Sequence, residues 1–236
     1  MQRHFERQLD RLKTDLIRMG SLVDDQIEVA MRALFQMDLT LVALVREREK
    51  RVNEYDNLID EEIEQIFATA QPVASDLRLL MAALKMNSQL ERVGDIAENI
   101  AERAESLAKL KDGGEKLVRD LMARTNLSAM ADAARKMVRD AFDSFINADA
   151  ELGNEVRDRD DVVDRLDREN VTMLIKAMRE DPRVIEAATN LIVLSRHLER
   201  LADHATNIAE DVVFLVEAKL IKHHGVEPPP EEKKQK

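Results

Sequence analysis

LERVGDIAENIAE, from Leu90 to Glu102, returns 108 positions later as LERLADHATNIAE, from Leu198 to Glu210, with nine of the thirteen residues identical. Leu90, Val93, Ala97 and Ile100 fall at alternating steps of three and four, the spacing of the buried seam of a helix. On such a helix Glu91, Asp95 and Asn99 share one face, and so do Glu199, Asp203 and Asn207. Packing asks only for apolar residues at the seam, yet Glu, Arg, Asp, Asn and the final Glu are the letters that recur. The chain therefore presents one acidic helical face twice.

The repeat extends outward from this motif. At an offset of 111, Leu16 matches Leu127, Met19 matches Met130, Ile27 matches Val138, Leu34 matches Phe145, Asp38 matches Asp149, Val52 matches Val163 and Asp56 matches Asp167. The offset falls to 108 at the motif because the second half is three residues shorter around Pro72 and Pro182, where an indel between helices costs little. Phe5, Leu9, Leu12, Leu16, Met19, Val23, Ile27, Ala30 and Leu34 predict a first helix over about 3–37. Asp38 reads as the N-cap of a second, running through Val45, Val52, Tyr55, Ile59, Ile63 and Ile66 to about Thr69. A third carries Leu79, Ala83, Met86, Leu90, Val93, Ala97, Ile100, Ala104 and Leu107 and ends before Gly113-Gly114. The second half repeats the plan: a helix to about Asn147, a break near Asp149 to Gly153, a helix to Glu180, Asp181-Pro182 as cap and first turn, and a last helix to about Lys222. Met31, Met86 and Met173 and the phenylalanines Phe5, Phe35, Phe142, Phe145 and Phe214 read as core.

Helices of some 30 residues joined by short loops pack antiparallel. The expected fold is all-α, two tandem three-helix bundles related by internal duplication, six long helices in all. The expected division is 1–112, 115–222 and a tail 223–236, whose Pro228-Pro229-Pro230 and EEKKQK offer nothing apolar to bury and predict disorder. Aromatic content of 3% with 35% charged residues agrees with long amphipathic helices.

A net charge of −11 without a large Lys/Arg cluster argues against a nucleic-acid groove, which must displace phosphate counterions. MQRHFERQLDRLKTDL lacks the apolar stretch of a signal peptide, and no run of about 18 apolar residues predicts a membrane span. A cytoplasmic protein is expected. The absence of cysteine excludes disulfides, thiolate metal sites and cysteine nucleophiles.

Like charges at i, i+4 repel, so the acidic faces call for a bound cation or for ion pairs from Arg92, Arg103 and a neighbouring helix. One such face alone would read as a solvated surface. Two in register favour ligands. Carboxylate and amide oxygens are hard donors, suited to iron, manganese, magnesium or calcium more than to zinc. Two carboxylates are too few for six-coordination, so a second helix must contribute. Asp56 and Asp167, equivalent at the 111 offset, are the candidate donors, with Asp60 a weaker one and Asn99 and Asn207 as ligands or hydrogen-bonding caps. His197 and His204 lack counterparts in the first copy, which has Gln89 and Ile96, and read as surface or partly buried residues. His223-His224 offers only adventitious binding.

No Glu-x-x-His pair of a di-iron oxidase occurs, and Gly113-Gly114-Glu115-Lys116 lacks the spacing of a phosphate loop. Three readings stand on the residues: a binding protein that does not turn over, a metal-dependent phosphohydrolase-like enzyme with open coordination positions, and a structural scaffold whose acids are merely solvated.

At LERVGDIAENI and LERLADHATNI, with QPVASDLR ahead of the first, the chain resembles the PhoU family over residues 1 to 222. The match to Gln71-Pro72 and Asp76-Leu77-Arg78 is confined to the first half, since the second reads Asp181-Pro182-Arg183. The resemblance implies two three-helix bundles whose E-x-x-x-D motifs hold metal ions. It implies a cytoplasmic, non-enzymatic negative regulator of the phosphate-starvation response, peripheral to inner-membrane complexes. The implied partners are the ATPase subunit of a phosphate ABC transporter and a PhoR-type sensor histidine kinase, with pairing of two copies as a further option.

Overall fold

The computed structural model describes residues 2–70, 72–110 and 114–217. Three long helices build the first half: α1 (Gln2–Gln36), α2 (Thr40–Thr69) and α3 (Ala74–Ala108). The second half comprises α4 (Gly114–Ala123), α5 (Leu127–Asn147), α6 (Ala150–Asp158), α7 (Asp160–Glu180), a 3-10 turn (Pro182–Val184) and α8 (Ile185–Glu217). The chain is all-α, two tandem three-helix bundles, with α6 and α7 together taking the place of α2.

The seams read from the sequence are buried along α1, α2 and α3, with Phe5, Leu9 and Tyr55 partly buried against the core and two residues of the whole set exposed. Leu79 is exposed and its neighbour Leu80 turns inward in its place, a rotation of about one residue at the start of α3. Met173 is also exposed, because Leu174 and Ala177 take the inward face of α7. Met31, Met86 and Phe142 are buried, while Phe5, Phe35 and Phe145 pack partly buried against the core. Phe214 is half-buried on α8.

The second half departs from unbroken helices at two places. Between α4 and α5 the freed backbone at Asn126 finds a partner on α7: Asn126 N donates to Asn170 Oδ1 at 2.7 Å, and its Nδ2 donates to Glu169 Oε2 at 2.8 Å. Between α6 and α7 the chain tightens at Arg159, whose N–H donates to Val156 O at 3.1 Å. The Arg159 guanidinium holds that corner by binding Asp140 on α5 and Glu155. Pro182 opens a 3-10 turn, not the α-helix expected there; the Asp181 side chain accepts from Arg183 N. Asp149 caps α6 by accepting from Glu151 N and Leu152 N at 3.0 Å. Its counterpart Asp38 accepts from Thr40 N and Oγ1 at 3.0 and 2.6 Å, although Leu39 is the residue that stands at the cap position of α2. The expected helix end at Lys222, the tail 223–236, Gln71 and Gly113 lie outside the described residues.

The halves pack on each other through α3 against α8 and α1 against α5, and one hydrophobic cluster runs through both. At the α1–α5 crossing the ring of Phe142 lies on Gly20, where a Cβ would stand 2.1 Å from Phe142 Cζ. Polar links bracket the α3–α8 crossing. Lys85 binds Asp211 at 2.5 Å, His204 Nδ1 lies 2.7 Å from Gln89 Oε1, and Arg103 donates to Asn190 Oδ1 at 3.5 Å.

Candidate cation-binding faces

Each acidic face is assembled from two helices. In the first half α2 supplies Glu49, Asp56 and Asp60, and α3 supplies Asn87, Glu91 and Asp95. Asn87 joins the two helices: its Nδ2 donates to Asp56 O at 2.9 Å, Asp56 Oδ1 at 2.8 Å and Asp60 Oδ1 at 3.0 Å. The helices approach closely here because Gly94 has no side chain; a Cβ there would meet Glu49 Oε2 at 3.0 Å and Val52 Cγ1 at 3.2 Å.

Glu49 lies deepest, 5% exposed. The buried Gln26 of α1 donates its Nε2 to Glu49 Oε2 at 2.7 Å and to Gly94 O at 3.2 Å, while Glu49 Oε1 is buried without a hydrogen-bond partner. Burial pushes the Glu49 carboxyl above the usual range, and Asp95 and Glu98 add to the effect against the Gln26 hydrogen bond. Asp56 is raised by burial and by Asp60. Glu91 is raised by burial, then by Asp95 and Asp56. In all three, burial is the first cause and neighbouring carboxylates add to it.

In the second half α7 supplies Asp160, Asp164 and Asp167, and α8 supplies Ser195, Arg196, Glu199, Asp203 and Thr206. Asp160 is raised by burial, then by Asp203 and Asp164, with the Thr206 hydroxyl opposing. Asp203 is raised by burial and Asp164, opposed by Arg200. Glu199 is raised by burial and Asp203, opposed by Arg196. Asp167 is almost fully buried, and both its oxygens are engaged by Ser195 and Arg196.

The structure thus brings Glu91 to Asp56, Asp95 to Glu49, and Glu199 and Asp203 to α7. The asparagines play lesser parts: Asn99 Nδ2 donates to Asp95 O of its own helix at 2.8 Å, and Asn207 is exposed. Asp76 is half-buried and Arg78 exposed in the first turns of α3. Glu49, Asp160 and Asp164 escaped the reading of the sequence. The signal was present, since Glu49 and Asp160 are both acidic at the 111 offset, seven residues before Asp56 and Asp167.

Among the described residues no three His, Asp or Glu side chains already converge into a metal-ligand set. The donors nonetheless fit a hard cation in kind: all are oxygens, they come from two helices, and the orphaned Oε1 of Glu49 sits at the base of the first face.

Comparison with known proteins bears on the whole chain. The model of the PhoU domain matches twice, over residues 16–104 and 127–212. The phosphate-specific transport system accessory protein PhoU homolog of Pseudomonas putida is 37% identical, covering 94% of this chain and 84% of that protein. The PhoU homolog 1 of Thermotoga maritima is 34% identical, covering 95% of this chain and 94% of that protein. The crystal structure of PhoU from Pseudomonas aeruginosa superposes with a TM-score of 0.82 at 37% identity, over 91% of this chain and all of that one. The phosphate transport system regulatory protein PhoU from Streptococcus pneumoniae, at 24% identity, shares the fold with a TM-score of 0.80. Among the described residues no helix is long and apolar enough to cross a membrane.

Proposed function

This chain belongs to the PhoU domain family, and from that premise we propose that it is an accessory regulator of phosphate-specific transport that acts by binding and not by turnover. The observation that carries the proposal is likeness over nearly the full length to proteins named as phosphate-specific transport accessory proteins, with both copies of the domain present. In this reading the protein works at the cytoplasmic face of inner-membrane complexes. There it links the ATPase subunit of a phosphate ABC transporter to a PhoR-type sensor kinase and represses the starvation response.

The acidic faces serve this role as cation sites. Glu49 and Asp95 at one end of the first face and Asp56, Asp60 and Glu91 at the other would hold cations in the first half, and Asp160, Asp164, Asp167, Glu199 and Asp203 in the second. A bound iron, manganese or magnesium ion supplies charge neutralisation between two helices that otherwise repel. The residues do the rest: Asn87 and Gln26 hold α1, α2 and α3 in register around the first face. An adaptor of this kind needs different affinities for partner states, not a nucleophile.

The test pairs metal content by elemental analysis with partner binding and phosphate release. Wild type is compared with a folded Glu91→Ala/Asp95→Ala/Glu199→Ala/Asp203→Ala variant. Stoichiometric metal lost in the variant, with kinase or ATPase-subunit binding and no steady phosphate release, is the expected result. Phosphate release scaling with metal would replace the adaptor by an enzyme. Equal metal in both proteins would remove the cation assignment.

A further inference from the structure

The two faces are built alike but differ at their inner edge. At the 108 offset, Asn87 and Ser88 of the first face stand where Ser195 and Arg196 stand in the second, and Asp60 has Val171 as its counterpart at the 111 offset. The exposed Ser88 brings no charge to the first face. In the first face Glu49, Asp56 and Asp60 are met by the neutral amides of Gln26 and Asn87, and Glu49 keeps its buried Oε1 unpartnered. In the second face Arg196 Nη1 lies 2.6 Å from Asp167 Oδ2 and 3.8 Å from Glu199 Oε1. Ser195 Oγ donates to the other oxygen of Asp167 at 2.9 Å.

We propose that Arg196 is the resident cation of the second face, so that the two faces are unequal sites for a divalent cation. The first is open to the ion. At the second, the ion must displace the guanidinium from Asp167 and Glu199. This inference rests on the reading of the faces as cation sites and adds how their occupancy is graded. The Asp167 side chain is 2% exposed and already satisfied by a charge-assisted hydrogen bond, so an ion gains there only what exceeds that bond. The Arg196 side chain is 56% exposed, so its head can swing into water without crossing the core. At intermediate ion concentration the first half is loaded while the second stays latched. Release of Arg196 then adds a free cation to the surface of α8 at higher ion levels.

Mn2+ titration of the full chain, followed calorimetrically and by the electron paramagnetic resonance of the free ion, tests this. Wild type is expected to show two classes at least about tenfold apart in affinity. Glu91→Ala/Asp95→Ala should delete the tighter class, and Glu199→Ala/Asp203→Ala the weaker. Arg196→Ser, which installs the residue of the first copy, should tighten the weak class about tenfold, and Ser88→Arg should weaken the tight class by a similar factor. Ser88 is exposed, so the reciprocal variant remains informative if Arg196→Ser destabilises the fold by stranding Asp167. A single class in wild type, or two classes that neither variant shifts, overturns the proposal. No Mn2+ binding by wild type or by Arg196→Ser is a different result, and removes the cation reading itself.

Discussion

Asp24 and Arg135 occupy the same place in the two halves, 111 residues apart, and they bind each other: Arg135 Nε and Nη2 donate to the two carboxylate oxygens of Asp24 at 3.1 and 3.2 Å. Arg135 also donates to Glu28 at 2.8 Å, and Arg139 donates to Asp24 at 2.8 Å. Burial works against the Asp24 carboxylate, but the two arginines outweigh it and hold it below the usual range. Equivalent residues meet this way where two copies of one unit pack about an approximate two-fold axis. Divergence has given them opposite charges, so each half prefers the other to a copy of itself.

A charge swap tests that pairing. Asp24→Arg should cost about 1–3 kcal/mol by placing three arginines together and leaving Arg135 short of a partner. Asp24→Arg/Arg135→Asp should recover most of the loss. Denaturant melts of wild type, of Asp24→Arg and Arg135→Asp singly and of the double variant measure it, and an additive double variant would show that the pair is not coupled.

Gly20 is required by Phe142. Gly20→Ala forces a methyl into a ring at 2.1 Å, so a loss of about 1–3 kcal/mol is expected. Phe142→Leu in the same chain should relieve part of it, which calorimetric melting of the single and double variants will show.

Glu49 should separate apo stability from cation binding. Glu49→Gln removes a buried charge, so the chelator-treated protein should gain about 1 kcal/mol. On the proposal that the faces hold cations, Mn2+ should raise the melting temperature of wild type through linkage, and the rise should be smaller in Glu49→Gln, which keeps only the second face intact. Loss of stability in both conditions would mean that Glu49 serves packing alone.

His204 gives the seam between the halves a pH dependence. Burial, then Arg92 and Arg200, lower its imidazole from 6.5 to about 4, so the ring stays neutral and its Nδ1–H donates to Gln89 Oε1. The unfolded chain therefore binds the extra proton between pH 6.5 and 4, and the contribution of His204 is complete above 6.5 and lost as pH falls toward 4. His204→Gln should flatten the stability profile across that window. An NMR titration placing His204 near its ordinary value would contradict this.

Asp149, the counterpart of the cap candidate Asp38, caps α6, and Asp149→Ala should cost about 1 kcal/mol by stranding Glu151 N and Leu152 N. Thermal melts against Asp38→Ala will show whether the two equivalent aspartates contribute equally.

Local chemistry of this kind reads well from a chain because its consequences stay within one turn. The duplication, the seams of α1, α2 and α3 and the faces carrying Glu91, Asp95, Glu199 and Asp203 all follow from periodicity, which states which side of a helix a residue occupies. The breaks at Asn126 and Arg159 did not show, since they are held by Asn170 and Glu169 on another helix and by Asp140 on α5. Leu79 and Met173 failed for a related reason: a seam drifts as a helix curves, and only the packed neighbour decides between Leu79 and Leu80.

By itself the sequence determined that this protein is a helical chain built twice, with two matched rows of acids, because those properties belong to spacing along one helix. The tertiary structure alone decided what stands opposite each row: Gln26 beneath Glu49, Arg196 on Asp167, and Asp24 against Arg135. Partners 23, 29 or 111 residues apart are joined by the geometry of helix crossing, and neither composition nor periodicity encodes which side chains a crossing brings within hydrogen-bonding distance.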